Sequence, residues 1–363
     1  MQGGSAKTLQ FTFPWMFGPW LDFAIYYASA ALGILLLVLS QSPVAAIGMV
    51  FFVAGWCSTH GIGEFHGGAS WYSYLDKRNR AYYNGTVPRF ITFILGPWLV
   101  VLASMLLAVY STDLLYGIFI LWTIQHLTQQ NVGILLLYHN HNAGEAIVPR
   151  KIELNSLYSA AILCTLIVCK HTNLFFFGAY PHVKLIVILA SFWTAAAIIL
   201  YLFALCRQVS EGKAMNVPAF MFWVISVLFF APSTVISAGP FKTLLIPLMM
   251  HWFQYIGLNY MLTIKKYSSA QQRQFLPLSH PLVLLTLVGS GTVLGLIFMS
   301  FLPQPTVAAA EWKQRMAYGF GIGLSNIHYY VDAIIWRFRE PFQREAVIPY
   351  LLAWRKRPPL VET

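Results

Sequence analysis

Long apolar runs alternate with short polar, mostly basic stretches from one end of this 363-residue chain to the other. Ten runs stand out, at 20–40, 44–65, 90–110, 112–138, 154–170, 184–206, 218–238, 240–264, 281–303 and 314–338. Most reach the roughly 20 residues a helix needs to cross a bilayer. The fifth is short and open to extension through Phe177. The pattern predicts an all-α fold, a polytopic membrane helical bundle of about 10 transmembrane helices forming one integral-membrane domain over 1–363. Between the second and third runs, 66–89 carries Asp76-Lys77-Arg78-Asn79-Arg80 and is expected as an interfacial loop over the cytoplasmic mouth. The segment 339–363, with Arg355-Lys356-Arg357, reads as a basic cytoplasmic tail anchored near anionic lipid.

Composition agrees with that class. Hydrophobic residues make up 58% of the chain and charged residues 10%, against roughly 25% charged in soluble domains. The mean hydropathy is +0.63. The net charge of +11 is spread between the runs rather than gathered on a soluble module, so no nucleic-acid partner is expected. Its distribution sets the orientation instead. Of the 23 Lys and Arg, only Lys170, Lys184, Lys242, Lys313 and Arg315 fall on one face of the ten-span threading. The positive-inside rule therefore places both termini in the cytoplasm. Met1 to Pro14 lacks the order of a cleavable signal peptide, so the first span is expected to act as its own insertion signal. Cys57, Cys164, Cys169 and Cys206 form no CxxC pair and read as small core residues.

Four histidines inside the apolar runs change this picture. Each is followed one helical turn later by a polar side chain: His60/Glu64, His126/Gln130, His251/Tyr255 and His328/Asp332. An i,i+4 spacing puts both members of a pair on one helix face. Ionisable groups in hydrocarbon are costly unless paired or metal-bound. All four histidines lie on even-numbered spans, in the cytoplasmic half, within a slab of roughly 15 Å. They are expected to converge on a metal, with His60, Glu64, His126, His251, His328 and Asp332 as ligands or as groups that orient ligands. Gln130 and Tyr255 are expected in catalytic roles, positioning O₂ or substrate. His171, His182 and His280 are expected to be solvated, and His66, His139 and His141 to be interfacial. Nitrogen and carboxylate donors without a nearby thiolate suit iron, as one or two ions, ahead of zinc or copper.

The segments His60-Gly61-x-x-Glu64, His126-x-x-x-Gln130, His251 and His328-x-x-x-Asp332 resemble the Brp/Blh family of membrane β-carotene 15,15′-dioxygenases. The intervals of 66, 125 and 77 residues between the four histidines are similar to that family's spacing. Gln130 stands where the family has an acid, and Tyr255 where it has a second histidine, which favours a mixed His/carboxylate site. The resemblance implies an iron-dependent oxygenase of a bacterial inner membrane. Its partners would be O₂, an apolar lipid-like or carotenoid-like substrate, the lipid bilayer and an electron-donor protein. Two other classes fit the same residues, a His/acid-relay transporter and a haem-binding membrane subunit. The transporter needs polar groups in both halves of the membrane, and runs such as Met49-Val50-Phe51-Phe52-Val53 count against it.

Overall fold

A computed structural model describes residues 9–40, 64–139, 145–228, 240–269 and 311–352, with a few isolated positions. Among these residues the fold is nearly all α. Expected run and observed helix agree closely for Thr112–His139, Val183–Ser210, Pro240–Lys266 and Trp312–Ile335. The expected spans 44–65 and 281–303 lie almost entirely outside the described residues. Among the described residues, three helices are long and apolar enough to cross a membrane: Val87–Tyr110, Arg150–Thr172 and Val183–Ser210. The last turns most of its apolar surface outward, with Phe192 70% and Phe203 66% exposed. An apolar helix with so little protein over it suits lipid, not water.

The chain divides into two units, Met1–Ala30 with Ile124–Pro247, and Ala31–Thr123 with Leu248–Thr363. In the first, two-residue strands Phe11–Thr12 and Met215–Asn216 pair in parallel. Buried Asp22 fastens the N-terminal segment, accepting from the Met16 and Phe17 amides at 2.7 and 2.8 Å and from the Tyr138 hydroxyl at 2.7 Å. Asn216 donates to Glu145 Oε2 at 2.8 Å, and its Oδ1 accepts from the Ala219 amide at 3.0 Å, satisfying an orphan donor at the start of Val217–Leu228. Tyr201 stacks on Trp223 at 3.8 Å, and the Trp223 indole donates to Ser156. Helix Arg150–Thr172 stops short of Phe177, because Asn173 takes a left-handed backbone (φ 50°) that ends the α-helix. His139, expected as a plain interfacial residue, has its Nε2 2.7 Å from buried Glu153. Cys164 and Cys169 are buried, whereas Cys206 is exposed, so a core role fails for that one.

The second unit corrects the reading of 66–89. That stretch is helical rather than a loop: Glu64–Leu75, Lys77–Asn84 and Val87–Phe90. Asp76 makes the break between the first two, accepting from the Arg78 and Asn79 amides at 2.8 and 3.1 Å as an N-cap. Its other oxygen meets Lys266 Nζ at 2.8 Å and the Tyr267 hydroxyl. Further on, Val87–Tyr110 passes through a π-helical turn at Ile91–Leu95. Pro97 has no N–H for the Phe93 carbonyl, and the Tyr74 hydroxyl donates to that carbonyl at 2.8 Å.

Helix Trp312–Ile335 lies tightly along Gly96–Tyr110. A Cβ on Gly319 would sit 2.7 Å from the Ser104 carbonyl oxygen and the Met105 Cα, and one on Gly323 would sit 2.9 Å from the Val101 Cα. Small residues one turn apart permit this approach. Gly319→Ala is therefore expected to destabilise the protein by about 1–3 kcal/mol. The same change at Gly133, also helical, meets nothing within 4 Å and should stabilise by up to about 1 kcal/mol. Thermal unfolding of the two variants in detergent checks the contrast, and equal effects would remove the packing argument.

Candidate metal centre

Three helices each bring one imidazole to a common point within the second unit. Glu64–Leu75 supplies His66, Pro240–Lys266 supplies His251 and Trp312–Ile335 supplies His328. Ring centroids are 4.4 Å apart for His66–His328, 4.8 Å for His66–His251 and 5.7 Å for His251–His328. One ring nitrogen from each lies within 4.8 Å of the other two. All three side chains are buried. Trp252, Tyr255 and Tyr329 pack against them, with ring centroids 4.8–6.1 Å from the nearest imidazole. Tyr329 is held by a 3.0 Å hydrogen bond between its hydroxyl and Thr123.

A carboxylate and two hydroxyls stand behind His328. The Tyr255 hydroxyl donates to Asp332 Oδ1 at 2.6 Å. The Ser70 hydroxyl is 2.7 Å from His328 Nδ1, 3.0 Å from the Tyr255 hydroxyl and 3.3 Å from Asp332 Oδ1. Nδ1 itself is 3.7 Å from Asp332 Oδ1, too far for a hydrogen bond. The i+4 acid thus reaches the imidazole through a serine.

Each expected site residue can now be placed. His251, Tyr255, His328 and Asp332 come together in the second unit. Glu64 begins the helix that carries His66, and its side chain lies outside what is described. His60 lies outside the described residues. His126 and Gln130 belong to the first unit, on helix Thr112–His139, where His126 is buried and Gln130 half-buried. The Tyr255 hydroxyl, expected to position O₂ or substrate, is hydrogen-bonded to Asp332 and Ser70.

Two residues of the centre were missed. His66 was read as interfacial, yet it is the member closest to both other imidazoles. Ser70 carries no mark of its own in the sequence. The signal was present, since His66 and Ser70 are another i,i+4 pair. It was obscured by the charges at 76–80, which made the whole stretch look like a loop.

Three imidazoles without a thiolate form a borderline-soft donor set. The described cysteines, Cys164, Cys169 and Cys206, all belong to the first unit. Such donors suit iron, zinc or copper. Three donors, counted among the described residues, would leave coordination positions open on a bound ion, the pattern of catalytic rather than structural sites. Comparison of the chain with protein-family models, with curated proteins and with solved structures finds no match in any of the three.

Proposed function

We propose that His66, His251 and His328 hold a transition metal, iron before zinc or copper, and that the protein is a membrane-embedded oxygenase or related oxidoreductase acting on an apolar substrate. The observation that carries this reading is the meeting of three buried imidazoles from three separate helices. Buried polar groups in a membrane protein mark function by default, and three imidazoles crowded together have little purpose without a shared cation. Iron bound there would supply the capacity to bind and activate O₂. The chain's own part is to fix three donors, to surround them with Trp252, Tyr255 and Tyr329, and to keep water out.

Several sequence features support the finer reading. The ten-span threading and its charge asymmetry put both termini in the cytoplasm and the centre in the cytoplasmic half of the bilayer. O₂ and apolar substrates both partition into hydrocarbon, so a site at that depth meets both. The resemblance to the Brp/Blh dioxygenases points to a lipid-like or carotenoid-like substrate, with an electron-donor protein as a further partner if turnover consumes electrons.

Elemental analysis and optical absorbance of anaerobically purified protein test the reading together. The expected result is iron near stoichiometric amounts, with no Soret band. A Soret band would transfer the histidines to a haem. Protein without any metal would leave the His/acid-relay transporter.

A further inference from the structure

A neutral imidazole can give a metal only one nitrogen, and which one depends on where its single proton sits. For His328 the surrounding hydroxyls decide the matter by proton counting. Tyr255 has one hydroxyl proton, and it is committed to Asp332 Oδ1 at 2.6 Å. Toward Ser70, 3.0 Å away, Tyr255 can offer only a lone pair. Ser70 also has one proton, and two acceptors face it, the Tyr255 oxygen and Asp332 Oδ1 at 3.3 Å. Its side toward His328 Nδ1, at 2.7 Å, is then a lone pair. With Asp332 as the acceptor at the far end, Nδ1 carries the proton and donates it.

With Asp332 accepting from Tyr255, the opposite arrangement leaves one contact without a proton. If Ser70 donated to Nδ1, the Ser70 and Tyr255 oxygens would face each other at 3.0 Å with no proton between them. A buried contact of that kind forfeits a hydrogen bond and sets two lone pairs against each other.

We propose that Ser70 is a positioning residue that locks His328 in its Nδ1–H tautomer and so presents Nε2 as the metal-binding nitrogen. This rests on the metal reading of the His66–His251–His328 centre. Ligating histidines commonly donate their second N–H to a carboxylate or carbonyl. Here the acid is out of direct reach at 3.7 Å, and the serine relays its pull. The arrangement also gives Tyr255 and Asp332 a shared purpose as the fixed end of a short chain that runs Asp332, Tyr255, Ser70, His328.

The test compares full-length wild type, Ser70→Ala, Ser70→Thr and His251→Ala, using Co(II) as the probe. Two quantities are measured, Co(II) affinity by competition with a chelator and the His328 tautomer in the apo protein. The tautomer is read from long-range proton–nitrogen correlations of ¹⁵N-histidine-labelled protein, with His328 assigned by its absence from a His328→Gln spectrum. Wild type should show Nδ1–H at His328. Ser70→Ala should lose that preference and bind Co(II) roughly 10- to 100-fold more weakly. Ser70→Thr, which keeps the hydroxyl, should restore both.

Unchanged tautomer and affinity in Ser70→Ala would overturn the proposal. So would equal impairment in Ser70→Ala and Ser70→Thr, which would point to packing. The metal reading fails separately. If wild type binds no Co(II), or His251→Ala binds it as tightly, the centre is not a metal site. The tautomer measurement needs no metal and would still report what Ser70 does.

Discussion

His251→Ala is expected to strip the purified protein of its metal and abolish turnover. It removes one of three nitrogen donors whose rings meet within 4.4–5.7 Å, and neither of the other two can take its place. The loss should exceed the roughly 10- to 100-fold typical of changes behind the ligands. His66→Ala should do the same, and this is the sharper test. Read from the sequence, His66 is an interfacial residue, whereas the fold puts it beside both other imidazoles of the triad. His171→Ala and His182→Ala serve as controls, since both residues are exposed in the first unit. Metal per chain by elemental analysis decides the matter. Retention of metal in both His66→Ala and His251→Ala would end the triad assignment.

Asp76→Asn is expected to bring the largest loss of stability. Asp76 and Lys266 form an ion pair at 2.8 Å, with side-chain exposures of 1% and 12%. Breaking such a pair from one side leaves a buried charge without compensation, at a cost of about 3–5 kcal/mol. Asparagine caps a helix as well as aspartate does, so the helix Lys77–Asn84 keeps its start and the loss reports the charge. The double variant Asp76→Asn with Lys266→Met removes both charges and should recover most of the stability. If the double variant is no better than the single one, the pair is not the cause. Thermal unfolding in detergent measures both.

The same pair gives the protein an acid limit. Burial works to raise the Asp76 carboxyl, but the Lys266 ammonium, the Tyr267 hydroxyl and the Asn79 amide outweigh it and hold it below the ordinary carboxylate range. Burial draws the Lys266 ammonium downward as well, against the pull of Asp76. At 2.8 Å the pair is nonetheless ionic at neutral pH. A carboxyl whose folded pKa is depressed stabilises the fold above its unfolded value of about 3.9. That stability is lost as pH falls from there through the folded value. Unfolding curves between neutral pH and pH 3 should therefore steepen below about pH 4 for wild type and stay flatter for the double variant.

The two units show where local pattern suffices and where it does not. The limits of Thr112–His139 and Trp312–Ile335 were legible because helix formation in an apolar run depends on neighbours a few residues away. The error at 66–89 has the same local origin. Asp76-Lys77-Arg78-Asn79-Arg80 looks like loop composition, and nothing nearby in the chain shows that Lys266, 190 positions on, neutralises Asp76. Once that partner is in place, the charges become an N-cap and a buried pair between helices, and the residues before them form the helix carrying His66 and Ser70.

The sequence by itself determined that the chain is helical, that several helices are apolar enough for lipid, and that His251, His328 and Asp332 are polar groups needing a purpose. It did so because length, hydropathy and i,i+4 spacing are properties of a single segment. Only the tertiary structure decided which histidines meet. An i,i+4 rule says that two side chains share a face, not which other helix that face meets. It also placed Ser70 and the Tyr255 hydroxyl between Asp332 and His328. A gap of 3.7 Å instead of 2.8 Å between an imidazole and a carboxylate is set by rotamers and helix crossings, which no spacing along the chain encodes.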